Sequence, residues 1–255
     1  MKRLVRLFSL LLALLVPSQS FAGWTQIALA AGYDAVSGTT NNTSTSLNVA
    51  VGDLLIAHTG WQGAVSGDVV TVDQSDGTDT FTTPAAAKGV QASDIGTALS
   101  YLIVGGADAT FTPRFTLSAA GTRRGIAVYQ FRPDASETVS ADGANVGLGL
   151  GTALATGTIT TTGTDEVVVG GGGHDNGSLL TVEQIGGVNA DGSSDYDADG
   201  FYGIWYRILT ATMTNGTADA TAAASDNWAI SVHAFKSEAA GGGAETFGFR
   251  RRVPQ

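Results

Sequence analysis

The stretch Asn227-Trp228-Ala229-Ile230-Ser231-Val232-His233-Ala234-Phe235-Lys236 decides the fold. Read with a period of two, Trp228, Ile230, Val232 and Ala234 share one face, and Ala229, Ser231, His233 and Phe235 share the other. Both sets are largely apolar, which marks a central β-strand rather than one with a solvent face. A counterpart lies well upstream, Ile126-Ala127-Val128-Tyr129-Gln130-Phe131-Arg132.

Three more segments of the first half reappear in the same order in the second. Asp53-Leu54-Leu55-Ile56-Ala57 matches Asp165-Glu166-Val167-Val168-Val169. Val70-Thr71-Val72-Asp73-Gln74 matches Leu180-Thr181-Val182-Glu183-Gln184, and Leu99-Ser100-Tyr101-Leu102-Ile103 matches Ile204-Trp205-Tyr206-Arg207-Ile208. Four pairs in order point to an internal duplication, with half-repeats of about 23–132 and 150–236. Turn signals such as Ser75-Asp76-Gly77, Asp142-Gly143, Asn176-Gly177 and Asn215-Gly216 separate the strands. A sustained helical period with caps is missing. The expected fold is therefore all-β, an antiparallel two-sheet sandwich of jelly-roll type, with both halves completing one shared core. Pro133 to Thr162 is expected to be the crossover, and its Gly147-Leu148-Gly149-Leu150-Gly151 run is too flexible to be assigned a strand.

Lys2, Arg3 and Arg6 precede an apolar run from Leu7 to Val16, and Ser20-Phe21-Ala22 gives a small-x-small pattern before Gly23. Residues 1–22 read as a secretory signal peptide. The apolar run is shorter than the roughly 20 residues a membrane-spanning helix needs. The expected destination is secreted, extracellular or cell-surface, with the periplasm as a further compartment. Residues 1–22 hold three basic and no acidic side chains, so ten Lys and Arg against 23 Asp and Glu remain. A body this acidic is ill-suited to nucleic acid, which is bound by displacing counterions with a basic face. The chain has no Cys, so its core forms without disulfides. After Lys236 the pattern stops, and 237–255 read as a Gly-rich linker and a basic tail.

The segments VAVGDLLIAHTGW (Val49 to Trp61), VTVDQSDGTDTFT (Val70 to Thr82) and NWAISVHAFK (Asn227 to Lys236) resemble jelly-roll-like β-sandwich modules. Such modules occur in bacterial secreted surface proteins and phage structural proteins. The resemblance implies a structural, adhesive or glycan-contacting role and brings no catalytic residues. The signal peptide departs from the phage members.

Three local features carry candidate chemistry. Asp195, Asp197 and Asp199 before Gly200 match the first half of a calcium loop, since alternating carboxylates converge on a hard cation. The twelfth position of that register is Tyr206, where a bidentate Glu is needed, so a solvated acidic loop is the competing reading. Trp61 and Tyr196 are the aromatic candidates for stacking on a glycan. The tail residues Phe247, Phe249, Arg250, Arg251 and Arg252 are candidates for contact with an anionic surface or neighbouring subunit. His58, His174 and His233 have no metal-ligand or triad spacing.

The resulting expectation is a secreted, non-enzymatic sandwich that requires no cofactor. It would contact a glycan or protein at a cell surface or matrix, with homo-oligomerisation as one mode. The rivals are a secreted carbohydrate-active hydrolase using loop carboxylates, and a virion structural or receptor-binding component.

Overall fold

The computed structural model describes residues 23–63, 70–92, 94–134, 137–175, 179–196 and 201–239. Residues 1–22, Asp197, Asp199 and the tail residues Phe247, Phe249 and Arg250 to Arg252 lie outside the described residues. In chain order the first half contributes β1 (Trp24–Asp34), β2 (Gly38–Asn42), β3 (Leu47–Val49), β4 (Leu54–Gln62), β5 (Val70–Gln74), β6 (Lys88–Gln91), β7 (Ile95–Ile103), β8 (Asp108–Phe111), β9 (Pro113–Gly121) and β10 (Arg123–Pro133). The second contributes β11 (Glu137–Ala155), β12 (Glu166–His174), β13 (Leu180–Ile185), β14 (Val188–Asn189), β15 (Gly192–Asp195), β16 (Tyr202–Leu209) and β17 (Ala218–Ala239). Among the described residues, no helix is long and apolar enough to cross a membrane.

The fold is all-β and antiparallel, as the alternation requires. One large sheet has the order β1-β10-β4-β7-β6. In the other, β11, β17, β12, β16 and β15 follow the same pattern, and the β13–β14 hairpin also joins β17. The two sheets face one another. Leu54, Ile56, Leu99, Tyr129 and Phe131 of the first meet Val167, Val169, Tyr202, Ile204 and Phe235 of the second in one cluster.

Each sheet is also covered on its outer face, so the molecule has more layers than the expected two. Leu55, Ala57, Trp61 and Val128 pack outward against the small sheets β2-β9-β5 and β3-β8. Val168, Trp205, Ile230 and Val232 pack outward against β13 and the start of β17. Every residue of β4 and β12 is buried in consequence. Double coverage is why the central strands read as near-continuous apolar runs.

The Pro133 to Thr162 segment departs from expectation, because most of it is the 19-residue strand β11, laddered along β17. Its glycines serve close approach. Gly149 lies under the Trp228 ring, and the chain at Ala155 and Thr156 crosses directly over Gly147. The same crossing occurs in the first half, where Asn42 and Thr43 pass over Gly32 of β1. The last strand also extends to Ala239, three residues beyond the expected end at Lys236.

Buried charge fixes the strand ends. The Asp53 carboxylate accepts from Arg132 Nε at 2.6 Å and Nη2 at 2.8 Å, from Gln130 at 2.6 Å and from the Ala50 backbone at 2.8 Å. Burial pushes its pKa up, but these bonds and the Arg132 charge bring it below the usual range. In the second sheet Glu166 takes the corresponding place beside Lys236. Leu54 pairs with Phe131 and Val167 with Phe235, so the structural counterpart of Asp53 is Glu166, one residue on from the Asp165 of the sequence match.

Between the sheets lies a buried polar chain. His58 Nε2 is 2.8 Å from Thr97 Oγ1, Thr97 Oγ1 is 3.0 Å from Ser231 Oγ, and Ser231 donates to the Gly171 carbonyl at 3.3 Å. Tyr196 closes it with its hydroxyl 2.7 Å from His58 Nδ1. Burial lowers the His58 pKa to about 3 and the His233 pKa to about 4, so both stay neutral in the fold. A Cβ on Gly171 would lie 2.5 Å from His58 Cγ. Gly171→Ala is expected to lower stability in urea denaturation by about 1–3 kcal/mol, the usual cost of overpacking. An unchanged midpoint would contradict this close approach.

Candidate functional site

The strand ends near Asp175 gather the most unusual chemistry of the described residues. Asp94 sits in the β6–β7 turn, which closes through a bond from Asp94 N to the Gln91 carbonyl, with Ala92 in the left-handed region. Asp175 follows β12 immediately, and Asp226 and Asn227 lie within β17. Arg123 opens β10 and Gln62 ends β4. Five separate stretches of chain thus converge.

Hydrogen bonds knit them together. Asn227 Nδ2 donates to Asp94 Oδ2 at 3.0 Å, joining the second sheet to a turn of the first. Asp175 N donates to the Asn227 carbonyl at 3.0 Å, and Gln62 Nε2 reaches the Asp175 carbonyl at 3.4 Å. Arg123 Nη1 donates to Gln62 Oε1 at 2.9 Å, and its guanidinium lies 4.0 Å over the Phe201 ring.

The Asp175 carboxyl stands beside those of Asp94 and Asp226, which disfavour its charged form. Burial first, then the bond to Asp94 and the charges of Asp94 and Asp226, push the Asp175 pKa up to about 7 against the opposing Arg123 charge. The arrangement holds a proton near neutrality and offers it at a partly exposed surface. A second such pair lies at the other end of β12. There Asp142 is held by the Thr162 backbone and hydroxyl at 2.5 and 2.6 Å, and Glu166 accepts from the Gly163 backbone. Burial leads the causes that raise Glu166 to about 7, with Asp142 adding to it and Lys236 opposing.

The residues singled out in the sequence fall elsewhere. Trp61 is 0% exposed, covering Gly96 on the neighbouring strand β7, and Tyr196 is 9% exposed, stacked at 6.0 Å on Tyr202. Both rings are core components, so neither presents a face for a sugar. Asp195 ends β15 and pairs with Gly203, while Asp197 and Asp199 lie outside the described residues. Among the described residues no group of three His, Cys, Asp or Glu side chains is placed to hold a metal ion. The residues missed, Asp94, Asp175, Asp226 and Arg123, are distant in sequence and share no motif. The nearest thing to a signal is the Asp-Asn dipeptide that recurs at 175–176 and 226–227.

No protein-family model matches the chain, and no curated protein is similar to it in sequence.

The raised pKa of Asp175 has a definite sign in stability. A carboxyl whose folded pKa exceeds its unfolded value of 3.8 contributes stability that is fully present below 3.8 and lost as pH rises through about 7. Asp175→Asn keeps the neutral shape and removes the ionisation. It is therefore expected to raise Tm at pH 8 by about 2–4 °C, the shift that about 1 kcal/mol produces at this chain length, and to change it little at pH 3.5, below the unfolded value. Thermal melts at the two pH values check this, and equal shifts at both would refute the raised pKa.

Proposed function

We propose that the chain is an exported, non-enzymatic β-sandwich that works by surface contact, as a structural or adhesion component facing a glycan or protein at a cell surface or matrix. The observation that carries this reading is the burial of the reactive side chains. All three histidines are at most 2% exposed, and His58 is committed to Tyr196 and Thr97. What faces solvent is broad strand surface bearing Thr, Asn and Ser, as in β2 and the outer positions of β9. A duplicated half accounts for the matching strand order of the two sheets.

The hydrolase alternative has one specific attraction, the proton held by Asp175 beside Asp94. Against it, the Asp94 carboxylate is already engaged by Asn227 within the fold. Calcium at Asp195, Asp197 and Asp199 belongs to the proposal as an auxiliary ion. Its check is a Tm rise on adding calcium that Asp197→Ala removes, and no rise with the wild-type chain ends it.

The contact reading is tested with the mature chain, beginning at Gly23, on surfaces coated with extracellular polysaccharide or matrix protein. Retention on one of these surfaces or self-association by light scattering is expected, weakened by truncation after Gly243 without loss of fold. Turnover of chromogenic glycosides that disappears in Asp175→Asn would replace this reading with the hydrolase one.

A further inference from the structure

We propose that the groove between β13, β14 and β15 is a saccharide site, with Val182 as its apolar platform and Glu183, Asn189 and Ser193 as its hydroxyl partners. The inference rests on the contact reading and names the partner class and the surface that takes it.

The first observation is conformational. Val182 has φ +56°, a region that a β-branched residue occupies at a cost of about 1–3 kcal/mol. It marks a bulge in β13, where the pairing with β17 shifts between Thr181 and Gln184. Glycine is the usual residue at such a left-handed bulge position. Burial does not offset the strain, because Val182 is 58% exposed. Its sequence counterpart behaves oppositely: Val72 of β5 is 0% exposed, on a strand that pairs with β9 in unbroken register. The bulge is thus particular to the second half, and it turns outward a side chain that the first half buries. An exposed, strained isopropyl group outside the core clusters is available for something outside the fold.

The second observation is the groove that this residue borders. It measures about 310 Å³ and is lined by Val182, Glu183, Asn189, Ala190 and Ser193. That is the lower end of the range for small-molecule sites, roughly 300–1,000 Å³, and suits one sugar ring. A carboxylate, an amide and a hydroxyl supply the mixed acceptors and donors that sugar hydroxyls need. The Val182 and Ala190 methyl groups supply an apolar surface for the C–H face of a ring. Among the described residues the lining carries no cation, which disfavours a phosphate or sulfate ligand.

The walls are held by the backbone. Ala190 N donates to the Glu183 carbonyl at 3.0 Å, Gln184 Nε2 fixes the Asn189 amide through its Oδ1 at 3.1 Å, and Ser193 is paired in the β15–β16 ladder opposite Trp205. Binding groups mounted on paired strands lose little freedom when a ligand arrives.

The test is an array of immobilised neutral and acidic mono- and oligosaccharides, probed with the mature wild-type chain and with Val182→Gly and Asn189→Ala. Wild type is expected to bind at least one neutral glycan, and each variant to weaken that binding about tenfold or more. Val182→Gly is further expected to leave Tm unchanged or raise it, because it removes strain, so binding and stability move apart. Three outcomes overturn the site: no glycan bound by wild type, binding unchanged in both variants, or a Val182→Gly chain that loses Tm and binding together. Each of these leaves the contact reading standing or falling on retention by matrix protein and on self-association, neither of which depends on sugars.

Discussion

The approach of His58 to the bare backbone of Gly171 is the constraint on which the rest of the structure depends. The two residues occupy the same place in their strands, each four positions beyond the first inward-facing apolar residue, Leu54 in β4 and Val167 in β12. Where two similarly ordered sheets face each other, residues at matching positions compete for one volume. A bulky side chain on each strand would hold the sheets apart, and two glycines would leave a void. The unequal pair resolves this, and the imidazole that fills the space is satisfied by Thr97 on one nitrogen and Tyr196 on the other. Tyr196 is thereby drawn into the core and stacks on Tyr202. The aromatic cluster of Tyr129, Phe131, Tyr206, Tyr101 and Phe235 fills the remainder of the same interface.

Once the interior is committed in this way, distinctive chemistry is displaced to the ends and edges. Both ends of β12 carry a carboxyl whose pKa is pushed up to about 7 by burial and an acidic neighbour, Asp175 beside Asp94 and Glu166 beside Asp142. Both join parts of the chain that are remote in sequence. They act oppositely to Asp53, whose carboxylate is held ionised by Arg132 and whose contribution is lost as pH falls. The buried histidines also oppose acid, because unfolding lets them take up protons that the fold denies them. The outer edge of the second sheet is where strain is tolerated, at Val182, beside the groove that we assign to a sugar ring.

Much of the fold was legible in the sequence because alternation and burial coincide. The two faces read from Trp228 to Phe235 are the two faces observed, with Ile230 and Val232 outward and Ala229 and Phe235 inward. Strand β11 was not legible, since its glycines look like flexibility until the crossing chain and the Trp228 ring are seen above them. The one-residue slip from Asp165 to Glu166 was hidden as well, because neighbouring acidic residues match Asp53 equally well by type while register decides which one is buried. Trp61 and Tyr196 were placed by their nearness to loops, but their cover comes from partners across the sheet or on the facing sheet. The acidic cluster has no local signature at all, and Val72 and Val182 sit in near-identical pentapeptides with opposite fates.

The central claim is that both sheets belong to one cooperative unit closed over the His58 and Gly171 contact. Differential scanning calorimetry of the chain from Gly23 onward tests it most directly. The shared interior predicts a single transition whose calorimetric enthalpy equals its van't Hoff enthalpy. Two resolved transitions, with Gly171→Ala moving one and leaving the other in place, would contradict it.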